Sequence, residues 1–269
     1  MLTGMDFTGI DLRRRREFLY VGAAALFARR LAGQASRESL IEDVVTANHI
    51  LAAQEIVDAF GHVSVRMGPG AARYLISRSI APAEVTAVDV MELDLDSKST
   101  LGDKRAPYRE RFIHGEIYRA RPDVMSIVHC HAPSLIPFGI TRIPLRPVYH
   151  NSSFIGEGVP VFEIREAGGD TDMLVSTPDL GRALAKALGN KPAVLMRGHG
   201  AVIVGKSIIE AVARSVYLEV NARVQAQALA MGQRVTYLDE GEVKKRAEDP
   251  DPYGRAWDLW KREALQRSR

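Results

Sequence analysis

The chain has 269 residues, of which 46% are hydrophobic and 26% charged, a composition typical of a globular protein with a sizeable core. Its net charge of +3 arises within residues 1–35, which hold six arginines and three acidic residues, so the remainder is electrically balanced. A balanced body lacks the basic face that displaces counterions from nucleic acids, and this argues against a nucleic-acid partner.

Residues 1–35 have the pattern of an export signal. Arg15 and Arg16 precede an apolar run at 19–28, and Gly-Gln-Ala at 33–35 suits a cleavage site. The run is too short to span a bilayer, so no stable membrane insertion is predicted. The segment resembles a twin-arginine signal, whose clients fold before export. It predicts a periplasmic protein; the alternative is a basic N-terminus on a cytoplasmic one.

Hydrophobic spacing predicts helices and strands in mixed order over residues 36–238. The expected helices cover 36–60, 107–121, 177–189 and 208–231, and the expected strands cover 62–66, 74–77, 88–95, 125–131, 143–149, 159–164, 193–196 and 201–204. Without strict βαβ alternation, this order favours one layered α/β or α+β domain. Residues 239–269 are predicted to form a charged helical tail anchored by Tyr253, Trp257 and Trp260.

Two histidines alternate in the predicted strand at 125–131. His129 and His131 should share one face of that strand, while Cys130, the only cysteine, points to the other. Imidazoles about 7 Å apart along a strand can converge on one cation if a third ligand closes the site. His199 is the candidate, because glycines on both sides of it permit an unusual turn. The pattern predicts a metal site; the alternatives are a core histidine pair and a turn histidine that caps a strand.

Glu110 and His114 are four residues apart, so they should share a face of the helix that begins at Pro107. A glutamate in a first helical turn is kept ionised by the helix dipole and can act as a base. Near a metal it could instead be a fourth, displaceable ligand. The alternative is an ordinary solvent-exposed pair.

These motifs together resemble the class II aldolase/adducin family over about residues 40–232. They are the stretch Gly61–Arg66, Glu110 with His114, the stretch Val128–His131, and the stretch Gly198–Gly200. The resemblance implies a single α/β/α layered domain with a largely antiparallel central sheet, commonly a homotetramer with sites between subunits. It also implies that His129, His131 and His199 hold one divalent metal ion and that Glu110 is the catalytic acid/base.

The chain departs from the sugar-phosphate aldolases of that family where they bind phosphate. Their asparagine, Thr-Gly turn and Ser-Ser pair correspond here to His62, to Ser79 with Ile80, and to Tyr108 with Arg109. Without the glycine, the backbone cannot cradle a phosphate closely. His62, Ser79, Arg78 and Arg109 are therefore candidate contacts for a small-molecule carboxylate, although either arginine could be a structural ion pair.

Residues 110–116 and 144–150 resemble the decarboxylating branch of the family, which includes dihydroxyphthalate, hydroxy-methylpyridine-dicarboxylate and carboxy-muconic-semialdehyde decarboxylases. The proton-donating tyrosine of the aldolases falls near Asn151, so Tyr149 and His150 are candidate donors beside Glu110. The predicted reaction is decarboxylation of a hydroxy-aromatic or hydroxy-dienoic carboxylate, with the metal stabilising the enolate.

Three alternatives stay open at this point. An aldolase or epimerase acting on a non-phosphorylated hydroxy-carbonyl compound would use the same electron sink. A non-catalytic binding module is the second alternative, because adducin carries the fold without the chemistry. The metal is also undecided: Zn²⁺ suits three histidines with an open position, whereas Mn²⁺ suits oxygen-rich chelating substrates.

Overall fold

A computed structural model of the chain describes residues 36–249 and 252–267, and the predicted export signal at 1–35 lies outside them. The strands are β1 (His62–Arg66), β2 (Arg73–Ser77), β3 (Val90–Asp94), β4 (Ser126–Cys130), β5 (Val161–Phe162), β6 (Ala193–Met196) and β7 (Gly200–Gly205). The α-helices are α1 (Arg37–Ala53), α2 (Phe112–Ala120), α3 (Ile136–Ile140), α4 (Ile164–Gly168), α5 (Pro178–Leu188), α6 (Ile208–Ala230), α7 (Glu240–Arg246) and α8 (Gly254–Arg267).

All seven strands form one sheet in the order β3-β2-β1-β4-β7-β6-β5. Every neighbouring pair is antiparallel except β5 and β6, which run parallel. The largely antiparallel sheet is therefore confirmed. In its middle, β4 lies between β1 and β7, with His129 paired to His62 on one side and to Val202 on the other.

Helices cover both faces of this sheet. On one face α1, α6 and α8 pack on strand residues that include Val128 and Cys130. On the other face α2 and α5 pack on residues that include Ile127 and Val202. Because side chains alternate along β4, His129 belongs to the α2 face and Cys130 to the opposite one. The α/β/α layering is confirmed, and the site lies on the α2 face.

The last helix is anchored by the aromatic residues that the sequence singled out. Tyr253, Trp257 and Trp260 are 9%, 6% and 8% exposed and share a core with α1 and α6. Burial of large aromatic side chains is among the strongest contributions to core stability. Part of the charged segment 239–269 is thus integral to the domain core.

The predicted strand at 143–149 is wrong, since this segment has no strand or helix. Pro144 and Pro147 lack backbone N–H groups and cannot take part in a regular strand ladder. The side-chain amides of Asn221 and Gln225 on α6 hydrogen-bond this segment's backbone instead, at 2.8–2.9 Å. The segment is held by these amides and by backbone hydrogen bonds from Val159 and Leu238 rather than by a neighbouring strand.

The predicted helix start at Pro107 is also wrong. Pro107 forms an isolated bridge with Arg78, a 3₁₀ turn follows at Arg109–Arg111, and α2 begins at Phe112. Glu110 has a non-helical backbone (φ −89°, ψ 18°) and therefore lies before the first turn of α2. No helix among the described residues is both long and apolar enough to cross a bilayer.

Substitution of Gly181 should destabilise the domain, because α5 crosses α2 at this residue. A Cβ atom there would lie 2.6 Å from the Phe112 carbonyl oxygen and 2.9 Å from Cγ of Glu116. We expect Gly181→Ala to lower the free energy of unfolding in urea by about 1–3 kcal/mol. The control is Gly241→Ala on exposed α7, which should change it by less than about 1 kcal/mol. Equal effects of the two substitutions would contradict the close crossing.

Candidate metal centre

Three histidines and one glutamate meet at the end of β4. Each of His129, His131, His199 and Glu110 offers one ligand atom, and these four atoms lie within 4.8 Å of one another. Nε2 of His131 is 3.1 Å from Nε2 of His129 and 3.0 Å from Nε2 of His199. Oε2 of Glu110 is 3.4 Å from Nε2 of His129 and 3.5 Å from Nε2 of His199. These four residues are called the metal centre below.

The sheet positions the three rings. His129 is the penultimate residue of β4, and His131 follows the end of that strand. His199 lies in the turn between β6 and β7, after Gly198 in a left-handed conformation (φ +62°). A Cβ atom on Gly200 would lie 2.0 Å from the carbonyl oxygen of Cys130, so only glycine lets this turn approach β4. The glycines flanking His199 thus have a steric explanation.

Backbone carbonyls orient two of the rings. Nδ1 of His129 donates to the carbonyl oxygen of Ala201 at 3.1 Å, and Nδ1 of His199 donates to that of Met173 at 3.0 Å. Each neutral ring then has its lone pair on Nε2, the atom that faces the other rings. Lone pairs this close repel each other unless positive charge lies between them. The donor set and its carbonyl supports fit a divalent cation.

The pKa shifts of the residues in the metal centre also indicate that positive charge is favoured there. Burial alone would raise the pKa of Glu110, but charge and hydrogen bonds from His129 and His199 outweigh burial and lower this pKa. Burial alone would lower the pKa of His199, yet its hydrogen bond with Glu110 raises it. Burial, with His129 and His199 adding to it, lowers the pKa of His131 to about 4. A neutral His131 is ready to act as a ligand.

One carboxylate oxygen of Glu110 is fixed, and the other faces the rings. Oε1 accepts a hydrogen bond from the backbone N–H of Val175 at 2.8 Å, whereas Oε2 faces His129 and His199. The glutamate is buried, 7% exposed. From this position Glu110 can serve either as an acid/base or as a fourth metal ligand.

A cavity of about 370 Å³ opens beside the metal centre. Its lining includes three of the predicted substrate contacts, His62, Ser79 and Arg109, together with Glu110 and His131. Arg109 reaches Asp172 at 2.9 Å, and both side chains are exposed.

Arg78 is placed differently from these three. Its Nε binds Oδ1 of Asp89 at 2.7 Å, and Arg78 does not belong to the lining of this cavity. The structure therefore gives it the ion pair that the sequence left open as its alternative role.

Tyr149 and His150 are likewise not part of this cavity lining within one chain. The hydroxyl of Tyr149 accepts a hydrogen bond from Asn151 at 3.0 Å, and its ring lies 6.1 Å from that of Tyr217 on α6. His150 is exposed at the start of a 3₁₀ turn. A single chain does not bring these two candidate proton donors to the metal centre.

Sequence reasoning missed a group of buried polar residues behind the centre. His114 does not pair with Glu110; it hydrogen-bonds His62 at 2.7 Å and Ser64 at 2.6 Å. Ser64 also contacts the hydroxyl of Tyr118 at 2.8 Å. Burial lowers the pKa of His114 to about 3, with the neighbouring His129 adding to the effect. The spacing of two residues from His62 to Ser64, and of four from His114 to Tyr118, was the available signal.

Removal of any one ring should abolish stoichiometric metal binding. Loss of a residue that only supports a metal ligand typically weakens metal binding roughly 10- to 100-fold. We expect a larger loss of zinc affinity in each of His129→Ala, His131→Ala and His199→Ala, because these residues are the ligands themselves. Elemental analysis of the purified protein and calorimetric titration with Zn²⁺ measure this. The control is His49→Gln, since His49 binds the Val85 carbonyl oxygen outside the centre. Full metal content in all three alanine variants would refute the centre.

Comparison with known proteins agrees with this geometry. The family described as Class II Aldolase and Adducin N-terminal domain matches residues 42–226. Decarboxylase tropJ of Talaromyces stipitatus is 34% identical over 247 residues, covering 83% of this chain and 93% of that protein. The 3,4-dihydroxyphthalate decarboxylase of Arthrobacter keyseri is 28% identical over 226 residues, covering 78% and 86%. The predicted likeness to the decarboxylating branch is thereby confirmed.

Comparison with a solved structure supports the same fold. An aldolase II superfamily protein from Pseudomonas syringae has a TM-score of 0.71 at 22% identity, covering 88% of this chain and 96% of that one. The family match and the 34% identity to tropJ lead to one conclusion: the chain belongs to the class II aldolase and adducin family.

Proposed function

We propose that the protein is a metal-dependent decarboxylase acting on a hydroxy-aromatic or hydroxy-dienoic carboxylate. The observation that carries the proposal is the convergence of three imidazole nitrogens and one carboxylate beside a cavity of about 370 Å³. The likeness to tropJ and to 3,4-dihydroxyphthalate decarboxylase supports the reaction class. A full set of ligands argues against a non-catalytic binding module.

His129, His131 and His199 would hold the ion, and Glu110 lies within reach as a fourth ligand or as the acid/base. A bound divalent ion would supply a Lewis acid for the negative charge that remains when CO₂ departs. Three histidines suit Zn²⁺, and an oxygen-rich substrate suits Mn²⁺, so both metals belong in the assays.

The cavity favours a carboxylate over a phosphate. Arg109 lies on its lining and is paired with the exposed Asp172, which a substrate carboxylate could replace. A guanidinium binds a carboxylate through two parallel hydrogen bonds. Ser79 adds a hydroxyl to the same cavity, and its successor Ile80 provides no glycine for close backbone approach to a phosphate.

Among the residues that the structure describes, Glu110 is the one best placed to move a proton. The Val175 N–H holds Oε1, so Oε2 is the oxygen left to hold a proton and return it to the substrate carbon. Decarboxylation breaks the carbon–carboxylate bond, leaves its electron pair on the substrate as an enolate or phenolate, and needs one proton at carbon. Tyr149 and His150 would contribute only across subunits, and a homotetramer is part of this proposal.

An aldolase or epimerase acting on a non-phosphorylated hydroxy-carbonyl compound is the second candidate. It is favoured by the same observation, because aldol cleavage and decarboxylation need the same acceptor for negative charge. The two differ in the leaving fragment, which is an aldehyde in one case and CO₂ in the other.

Substitution of Glu110 should suppress turnover while preserving the metal. We expect the Zn²⁺- or Mn²⁺-loaded protein to release CO₂ from a panel of hydroxy-aromatic and hydroxy-dienoic dicarboxylates, and Glu110→Gln to lower kcat by about 10²- to 10⁴-fold. Glu157→Gln is the control, because Glu157 is exposed and pairs only with Lys191 among the described residues. Aldehyde release or epimerisation on a parallel panel of non-phosphorylated hydroxy-carbonyl compounds, without CO₂ release from the first panel, would establish the second candidate. A metal-loaded protein that turns over neither panel would reject both.

We also propose that residues 1–35 direct export to the periplasm, on the strength of the paired arginines, the apolar run and the small-residue cleavage site. A reporter fused after residue 40 should be exported, and Arg15→Lys combined with Arg16→Lys should block its export. Substitution of Arg29 and Arg30 by lysine is the matched control and should leave export intact. Export that ignores the first pair, or no export at all, would refute the proposal.

A further inference from the structure

Four buried polar side chains form a continuous chain behind the metal centre. Tyr118 and His114 lie on α2, and Ser64 and His62 lie on β1. The successive contacts measure 2.8 Å from the Tyr118 hydroxyl to Ser64 Oγ, 2.6 Å from there to His114 Nδ1, and 2.7 Å from His114 Nε2 to His62 Nδ1. The Tyr74 ring lies nearly parallel to that of His114, with 6.2 Å between the ring centroids and 18° between the planes.

The phenol at one end sets the direction of these hydrogen bonds. Tyr118 is 1% exposed, and Ser64 is the partner of its hydroxyl among the described residues. A buried hydroxyl hydrogen needs an acceptor, so Tyr118 donates to Ser64. The one hydroxyl hydrogen of Ser64 is then donated to Nδ1 of His114, its remaining side-chain contact in that part of the chain.

The same order of donor and acceptor continues through both imidazoles. His114 and His62 are 0% and 3% exposed, and neither has a carboxylate hydrogen-bond partner in the described part of the chain. A neutral imidazole carries one N–H, so His114, which accepts at Nδ1, donates from Nε2 to Nδ1 of His62. His62 in turn carries its hydrogen on Nε2. Across residues 36–249 and 252–267, Nε2 of His62 has no hydrogen-bond partner and keeps some solvent-accessible surface. His62 also lines the cavity beside the metal centre.

We propose that Tyr118, Ser64 and His114 form a hydrogen-bond relay that holds His62 as its Nε2–H tautomer, so that His62 offers a fixed donor to a substrate oxygen. The ring of His62 lies 5.0 Å from that of His129, which puts this donor next to the metal centre. It fits an anionic oxygen, the carboxylate or phenolate of a hydroxy-aromatic acid. The choice of ligand rests on the proposed function, whereas the tautomer does not.

The first test reads the tautomers directly and needs no activity. Long-range ¹H–¹⁵N correlation spectra of the zinc-loaded protein should show both His62 and His114 protonated at Nε2. In Ser64→Ala the relay is broken. The hydrogen bond between the two rings can then be donated either by Nε2 of His114 or by Nδ1 of His62, and both rings should show mixed tautomers. Ser126→Ala is the matched control, because Ser126 is also buried and donates to the backbone carbonyl of Ser64 at 2.7 Å, outside the relay.

A wild-type His62 protonated at Nδ1 would overturn the relay, as would an unchanged spectrum in Ser64→Ala. The first outcome requires no variant, so it stands even if a substitution prevents folding.

The second test measures the donor with salicylate, a hydroxy-aromatic carboxylate, by calorimetry on the zinc-loaded protein. His62→Leu removes the donor and should weaken binding about 10- to 100-fold, whereas His62→Gln keeps an N–H and should stay within about threefold of wild type. Equal binding by both variants, or no binding by the wild type, would overturn the substrate contact. If both tests succeed and the dicarboxylate panel yields no CO₂, the decarboxylase proposal fails and the relay stands.

Discussion

Repulsion among converging lone pairs is the constraint on which the rest of the structure depends. Neighbouring Nε2 atoms lie 3.0–3.1 Å apart, and a carboxylate oxygen lies 3.4–3.5 Å from two of them. Such a group is stable only with a cation or shared protons between its members. The surrounding backbone therefore has to hold the rings against that repulsion, and it does so with the carbonyl groups of Ala201 and Met173.

The two faces of the sheet carry different kinds of buried residues. On the face that carries α1, α6 and α8, Val128, Cys130 and the aromatic residues of the last helix pack together, and the buried amides of Asn221 and Gln225 bind segment 143–149. The face under α2 carries the buried polar residues of β1 and β4, next to a second apolar core. Buried polar networks are costly when incomplete and rigid when satisfied. The polar network beside the metal centre lies on the α2 face, while the opposite face adds a separate hydrophobic core.

The sequence predicted those features that depend on local rules or on a repeated short spacing. The helix predicted over 177–189 is present as α5, β6 has the predicted bounds, and His129, His131 and His199 meet as expected. The failures have long-range causes. Glu110 lies in a turn stabilised by Val175, 65 residues away, and the segment 143–149 is held by amides on α6.

The pairing of His62 with His114 could not be predicted for the same reason. The two residues are 52 positions apart, and only the packing of α2 on β1 brings them together. The helical spacing of Glu110 and His114 suggested a shared role, but the non-helical backbone at Glu110 turns the two side chains towards different partners. Periodicity arguments fail where a regular element has not yet begun.

The short segment from Met173 to Val175 has a consequence for how such a site diversifies. It holds His199 through a main-chain carbonyl and Glu110 through a main-chain amide, while the side chain of Leu174 lines the cavity. Main-chain contacts do not depend on residue identity. Mutations at position 174 can therefore reshape the room offered to a ligand without disturbing the reactive groups, so that new substrates become accessible to an unchanged chemistry.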